Sequence, residues 1–150
     1  MNEGKMGYYL DTSALLPYYR EEQTSRRVQD FLLSVSTPVG ISDLTGLEFA
    51  SAISRWVRMK EITEAQASLL ENAFAEDTRS GLFKYLTITA SHYRQAKKWI
   101  SSRKTALRTL DALHLSCSFR ARMKIATCDH VLASSADILG VRCQFIADRE

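Results

Sequence analysis

The hydrophobic residues of the chain fall into short continuous runs, separated by longer stretches in which they recur every three or four positions. The short runs are rich in Tyr, Val, Ile and Phe, a composition typical of strands, and each is too short to form a helix of ordinary length. The sequence therefore predicts five strands, at residues 8–10, 39–42, 83–88, 125–127 and 141–146.

The longer stretches have the spacing of amphipathic helices. They predict a short helix from residue 14 and longer helices at about residues 28–36, 44–60, 64–79, 89–101, 110–122 and 131–139. Pro17 is expected to break or bend the first helix, because proline removes a helical hydrogen bond. Asp43 is the expected N-cap of the 44–60 helix. Leu47 in that helix and Tyr93 in the 89–101 helix are expected to face the core.

Strands that alternate with helices predict a parallel sheet with right-handed crossovers and helices on both faces. The predicted fold class is therefore α/β, a three-layer α/β/α sandwich around a short parallel sheet. The sequence has no internal repeat, low-complexity tract or linker. Residues 1–150 are thus expected to form a single domain, with residues 1–6 as a loose leader.

The composition is that of an ordinary globular protein, with 45% hydrophobic and 25% charged residues in a chain of 150. No apolar run is long enough to span a membrane, and the first residues lack the apolar segment of a signal peptide. We therefore expect a cytoplasmic protein that does not bind membranes. Three cysteines without Cys-x-x-Cys spacing predict neither a disulfide framework nor a zinc site.

Charge is distributed unevenly along the chain, although the net charge is only +3. Residues 61–77 carry five acids and no Lys or Arg, whereas residues 84–124 carry ten basic residues and one acid, Asp111. A basic half of this kind favours a phosphate-rich partner. For any single Lys or Arg, an ordinary solvated helix face is the alternative.

Four acidic residues stand where strands end or helices begin. Asp11 and Asp129 follow predicted strands, Glu48 lies early in the helix after the second strand, and Asp111 lies in the first turn of the helix before the fourth. Helices that follow parallel strands start at the carboxyl edge of the sheet, so Glu48 is expected near Asp11 and Asp129. Asp111 reaches that edge only if residues 102–108 cross over to it. The alternative for each acid is a helix-capping role.

Four carboxylates in one cleft repel one another and would bind protons unless a cation lies among them. Carboxylate oxygens suit Mg²⁺ or Mn²⁺, which activate water and neutralise the charge that develops on a phosphodiester. The three histidines have no metal-ligand spacing, and His114, on an otherwise apolar helix, is expected to be a hydrogen-bonded core residue. The four acids therefore predict a Mg²⁺ or Mn²⁺ site suited to phosphodiester chemistry.

Four motifs of the chain resemble those of PIN-domain ribonucleases, and most closely those of the VapC-type toxins of VapBC toxin–antitoxin pairs. These motifs are Tyr9-Leu10-Asp11-Thr12-Ser13-Ala14-Leu15, Leu47-Glu48, Leu110-Asp111-Ala112-Leu113-His114-Leu115 and Ala126-Thr127-Cys128-Asp129. The resemblance extends from residue 8 to about residue 146. The Leu47-Glu48 pair is weak alone, whereas the combination of the four motifs is specific.

The resemblance implies a sheet of strand order 3-2-1-4-5 and a Mg²⁺- or Mn²⁺-dependent endoribonuclease that leaves 5′-phosphate and 3′-hydroxyl ends. It implies that Asp11 and Asp111 are the firmest metal ligands, joined by Glu48 and Asp129. Ser13 would hydrogen-bond within the site without holding the metal, and all five residues are candidate catalytic residues. The implied partners are an RNA substrate, a small VapB-like antitoxin and a second copy of the chain in a homodimer.

The RNA substrate would need contacts beyond the acids. The basic residues between Arg94 and Arg108 are the first candidates for contacts with the RNA backbone, and Trp99 is either a base-stacking surface or a core residue.

Three alternatives remain for the function: a PIN nuclease that processes RNA without being a toxin, a catalytically silent RNA-binding domain, and a receiver-like signalling domain. The receiver would need a second acid close to the first strand and a Lys at the end of the last, and the sequence has neither.

Overall fold

The computed structural model of the protein describes residues 6–146, which form five strands and seven helices. The strands are β1 (Tyr8–Leu10), β2 (Val39–Ser42), β3 (Phe83–Leu86), β4 (Lys124–Thr127) and β5 (Cys143–Phe145). The helices are α1 (Thr12–Tyr19), α2 (Ser25–Ser34), α3 (Asp43–Arg58), α4 (Glu64–Arg79), α5 (Ala90–Ser101), α6 (Thr109–Arg120) and α7 (His130–Ile138). No helix within these residues is long and apolar enough to cross a membrane. The predicted leader, apart from Met6, lies outside the described residues.

The five strands form one sheet, in which each neighbouring pair is parallel and the order is β3-β2-β1-β4-β5. The predicted fold class and strand order are therefore confirmed. β1 lies at the centre, and its residue Leu10 is in register with Ala126 of β4. The strand order reverses at β1, so the carboxyl ends of β1 and β4 flank the crevice in which open α/β sheets bind their ligands.

Two hydrophobic clusters cover the two faces of this sheet. Successive residues of a strand point to opposite faces, and Leu10 belongs to one cluster whereas Tyr9 belongs to the other. The Leu10 cluster contains buried side chains of α1 to α4, with Phe49 and Phe74 in edge-to-face contact. The Tyr9 cluster contains side chains of α5, α6 and α7, Trp99 among them. This is the three-layer arrangement that the sequence predicts.

The core-facing sides of two helices differ from those predicted. Leu47 is 69% exposed, and the buried side of α3 carries Phe49, which is 3% exposed. In α5, Tyr93 is exposed and Trp99 is buried, with its ring 5.5 Å from that of Phe119. The core interpretation of Trp99 is therefore correct and the base-stacking interpretation is wrong. In both helices apolar residues lie on more than one side, and the tertiary partners decide which side is buried.

Of the two outcomes predicted for Pro17, a break or a bend of α1, the break is wrong, and the N-cap predicted for α3 is wrong as well. Pro17 does not break α1, which continues to Tyr19. Its missing N–H removes one hydrogen bond near the end of an eight-residue helix, where tertiary packing of the buried proline holds the chain. The N-cap of α3 is Ser42 rather than Asp43, and Ser42 forms a reciprocal capping box with Thr45.

Candidate active site

Asp11 is a buried carboxylate at the end of the central strand. It is the N-cap of α1, with its Oδ1 accepting a hydrogen bond of 3.3 Å from the N–H of Ala14. The side chain is nevertheless only 3% exposed, which is unusual for a cap. Burial raises the pKa of Asp11 to about 6, although His114 and hydrogen bonds from Ser13 and Thr127 lower it. Capping is therefore a real role of Asp11, but it does not account for the burial of a carboxyl group.

Ser13 connects the end of β1 to the end of β4. Its hydroxyl lies 2.9 Å from each carboxylate oxygen of Asp11, to which it donates, and 3.1 Å from Oγ1 of Thr127. The Ser13 oxygen also accepts a hydrogen bond of 3.1 Å from the N–H of Cys128. Ser13 thus fixes the orientation of the Asp11 carboxylate, the kind of contact that its predicted role requires.

Glu48 lies in the second turn of α3 and is half-buried. Its Oε1 accepts a hydrogen bond of 2.7 Å from Oγ1 of Thr12 and is also in hydrogen-bond contact with Nε2 of His114. Burial raises the pKa of Glu48, but the hydrogen bond and charge of His114 and the hydrogen bond of Thr12 outweigh this effect. The pKa of Glu48 is therefore below its ordinary value, so the side chain is an anion at neutral pH.

His114 is buried between Glu48 and the central strand. Its Nδ1 lies 2.7 Å from the hydroxyl of Tyr9, which in turn lies 2.9 Å from Oγ of Ser42. An ionised carboxylate only accepts, so Nε2 donates to Glu48, and in a neutral ring Nδ1 then accepts from Tyr9. The expectation of a hydrogen-bonded core histidine is confirmed. The contact of this histidine with Glu48 is not predicted from the sequence, although His114 and Asp111 are three residues apart and hence on the same side of α6.

Asp111 reaches the same edge of the sheet as the other acids. α5 and α6 are consecutive helices that both pack in the layer of Trp99, and residues 102–108 carry the chain back so that α6 begins beside the strand ends. Burial raises the pKa of Asp111, the charges of Asp129 and Glu48 raise it further, and His114 and Arg108 lower it. Asp111 lies one turn before His114, whose ring contacts Glu48, and this geometry together with the charges acting on Asp111 agrees with the crossover.

Asp129 follows β4 and is the N-cap of α7. Its Oδ1 accepts hydrogen bonds of 2.8 Å from the N–H of Val131 and 3.2 Å from that of Leu132. Its own N–H donates to Oγ1 of Thr127, at 3.0 Å. Two of the four acids, Asp11 and Asp129, are therefore genuine helix caps that also face the carboxyl edge of the sheet.

The donor chemistry of these four residues fits a hard divalent cation. Carboxylate oxygens are the ligands that Mg²⁺ and Mn²⁺ prefer, and burial raises the pKa values of Asp11 and Asp111 above their ordinary values. Within residues 6–146, however, no three His, Cys, Asp or Glu side chains already stand in a metal-holding group. Glu48 is engaged by His114, and Asp129 by the N-terminus of α7. The acids therefore fit a cation by ligand type, and Glu48 and Asp129 would have to exchange these contacts to join one.

The chain belongs to the PIN domain family, whose family model matches residues 8–137. PIN domains are typically metal-dependent nucleases and commonly use Mg²⁺ or Mn²⁺. No curated protein matches the chain.

Solved structures of toxin–antitoxin proteins share the fold. FitAcB from Neisseria gonorrhoeae has a TM-score of 0.68 at 17% identity, covering 91% of this chain and 95% of its own. VapBC2 from Rickettsia felis, bound to a promoter DNA fragment, has a TM-score of 0.68 at 12% identity. The match covers 96% of this chain and 100% of the VapBC2 chain. VapC20 from Mycobacterium tuberculosis, a toxin that cleaves the sarcin–ricin loop, has a TM-score of 0.65 at 14% identity. The match covers 86% of this chain and 95% of the VapC20 chain. These relatives form complexes with antitoxins in two of the three structures.

Proposed function

We propose that the protein is a metal-dependent endoribonuclease that hydrolyses RNA phosphodiester bonds. The observation that carries this proposal is the buried carboxylate of Asp11, held by Ser13 at the switch point of a PIN-domain sheet. Asp11 and Asp111 would hold the Mg²⁺ or Mn²⁺ ion, together with Glu48 and Asp129. Such an ion, when bound, activates water and neutralises the negative charge that develops on the phosphodiester.

The remaining residues of the site hold these acids in place. Ser13 fixes the Asp11 carboxylate, and Thr12 and His114 fix that of Glu48. The Asp11 carboxylate, restrained in this way, loses little conformational entropy when it binds a cation, and it presents a constant geometry to the substrate. Ser13 therefore contributes to catalysis as a positioning residue in this proposal.

The proposal predicts that the purified protein cleaves RNA in the presence of Mg²⁺ or Mn²⁺ and that EDTA stops the cleavage. The products are expected to carry 5′-phosphate and 3′-hydroxyl ends, which enzymatic end-labelling of the fragments reads directly. Single-stranded DNA of the same sequence is the control substrate. Equal cleavage in EDTA, or products with 2′,3′-cyclic phosphate ends, would contradict the proposed chemistry.

We further propose that this nuclease is the toxin of a type II toxin–antitoxin pair and acts as a homodimer that a small VapB-like antitoxin inhibits. The shared fold of the FitAcB and VapBC2 complexes supports this proposal. The test is expression of the chain alone and together with the neighbouring small reading frame. Growth arrest that the second frame relieves, with recovery of a joint complex, is the expected result. Unimpaired growth and a monomer without a partner would instead favour an RNA-processing PIN nuclease.

A further inference from the structure

A groove with a mixed polar and apolar lining lies between residues 103–106 and helix α7. Its volume is about 430 Å³, and its walls include Arg103, Lys104 and Thr105 on one side and His130 and Ser134 on the other. Apart from the half-buried Thr105, these side chains are exposed. The groove therefore offers two cationic groups, two hydroxyls and an imidazole, beside the exposed apolar side chains of Val131 and Ile138.

The groove begins beside the acids of the candidate active site. His130 is the first residue of α7 and follows Asp129, the N-cap of that helix, directly in the chain. The ring of His130 packs against that of Phe145, with a distance of 4.4 Å between the ring centres. Since β5 fixes this end of α7, one end of the groove stays next to Asp129, and the groove leads away from the site along the helix.

The charges in the groove are available to an anionic ligand. Within residues 6–146, neither Arg103 nor Lys104 forms an ion pair, and the guanidinium of Arg103 has only a hydrogen bond of 3.3 Å to the carbonyl of Ser101. Asp137 is exposed on α7 but does not line the groove. A sugar–phosphate backbone fits this lining, because cations contact its phosphates and hydroxyl side chains can hydrogen-bond the ribose 2′-hydroxyls.

We propose that this groove binds the backbone of single-stranded RNA on one side of the cleaved bond, with Arg103 and Lys104 on the phosphates. The proposal rests on the proposed ribonuclease function and narrows its substrate site. By sequence alone, all basic residues from Arg94 to Arg108 are candidates for contacts with the RNA backbone. Lys97 and Lys98 are exposed on α5 and do not line the groove, so they serve as a charge-matched control.

The test compares the double variant Arg103→Ala/Lys104→Ala with Lys97→Ala/Lys98→Ala. Binding of a short fluorescent single-stranded RNA is measured in EDTA, which prevents cleavage, over a series of salt concentrations. Each phosphate contact contributes about 0.7 to the slope of log affinity against log salt for single strands. The groove variant should lose about 1.4 of that slope and bind roughly 3- to 30-fold more weakly at low salt, as expected for two exposed ion pairs. The α5 variant should match the wild type.

Each other outcome overturns the proposal. Equal losses in both variants would show a general electrostatic attraction without a groove, and no loss in the groove variant would place the RNA elsewhere. In either case the wild type would still cut RNA with Mg²⁺, so the proposed function would stand. A groove variant that changes the oligomeric state but not RNA affinity would identify a protein interface. A wild type that neither binds nor cuts RNA would overturn the function and the groove together.

Discussion

Asp11→Asn is expected to lower the rate of RNA cleavage by about 100-fold or more while the protein stays folded. Losing even an outer hydrogen-bond partner of a metal ligand costs about 10- to 100-fold in activity, and Asp11 is proposed as a ligand itself. Asparagine has nearly the same size and is as good an N-cap as aspartate, so the hydrogen bond from Ala14 is retained. The substitution therefore removes the charge and keeps the cap, and Ser13 retains one of its two oxygen acceptors. Initial rates of RNA cleavage at saturating Mg²⁺ measure the effect.

Asp43→Asn is the matched control for this loss of activity. Asp43 is also an acid in the first turn of a helix that follows a strand, but it is exposed and caps nothing. Its substitution should leave the cleavage rate within about twofold, because exposed charges outside a site have small effects. If Asp11→Asn cleaves RNA as fast as Asp43→Asn, Asp11 is not a metal ligand of the reaction.

Asp11→Asn is also expected to stabilise the metal-free protein at neutral pH. The pKa of Asp11 is about 6 in the folded protein, because of burial, and 3.8 in the unfolded chain. An acid whose pKa is raised by folding destabilises the fold when it is ionised. The penalty is absent below about pH 4, grows as the pH rises and is complete above about pH 6. At about 1.4 kcal/mol per pH unit, it reaches about 3 kcal/mol.

Thermal melts in EDTA from pH 4 to pH 7 measure this penalty. For a chain of this size about 3 kcal/mol corresponds to roughly 6–12 °C in melting temperature, so Asp11→Asn should melt that much higher at pH 7 and about equally at pH 4. Millimolar Mg²⁺ should raise the melting temperature of the wild type more than that of the variant. A variant that is less stable than the wild type at pH 7 in EDTA would show that Asp11 is mainly a structural cap.

The functional ends of β1 and β4 could be predicted because an acidic residue follows each of these two strands. A short apolar run followed by an acid identifies Asp11 and Asp129 without any knowledge of the tertiary structure, and the parallel sheet then brings them to one edge. Asp111 carries no such mark, because its helix precedes a strand. Its position depends on the path of residues 102–108, which follows from how α5 and α6 pack and not from a local pattern.

The residues that orient Glu48 could not be predicted for a related reason. His114 and Glu48 are 66 residues apart in the chain, and their contact exists only because α3 and α6 both begin at the carboxyl edge of the sheet. The wrong prediction that Leu47 of α3 faces the core also results from contacts between residues distant in the chain. Leu47 and Phe49 both fit a helical stripe, and the contact of Phe49 with Phe74 of α4 decides between them.

The central claim is that Asp11 and Asp111 hold a divalent cation, and direct Mn²⁺ binding tests it most directly. Free Mn²⁺ is titrated with protein and followed by electron paramagnetic resonance at neutral pH, without RNA. The wild type and Asp43→Asn should bind Mn²⁺ alike, whereas Asp11→Asn and Asp111→Asn should each bind it at least about tenfold more weakly. Binding of Mn²⁺ by both site variants with the affinity of the wild type would contradict the claim.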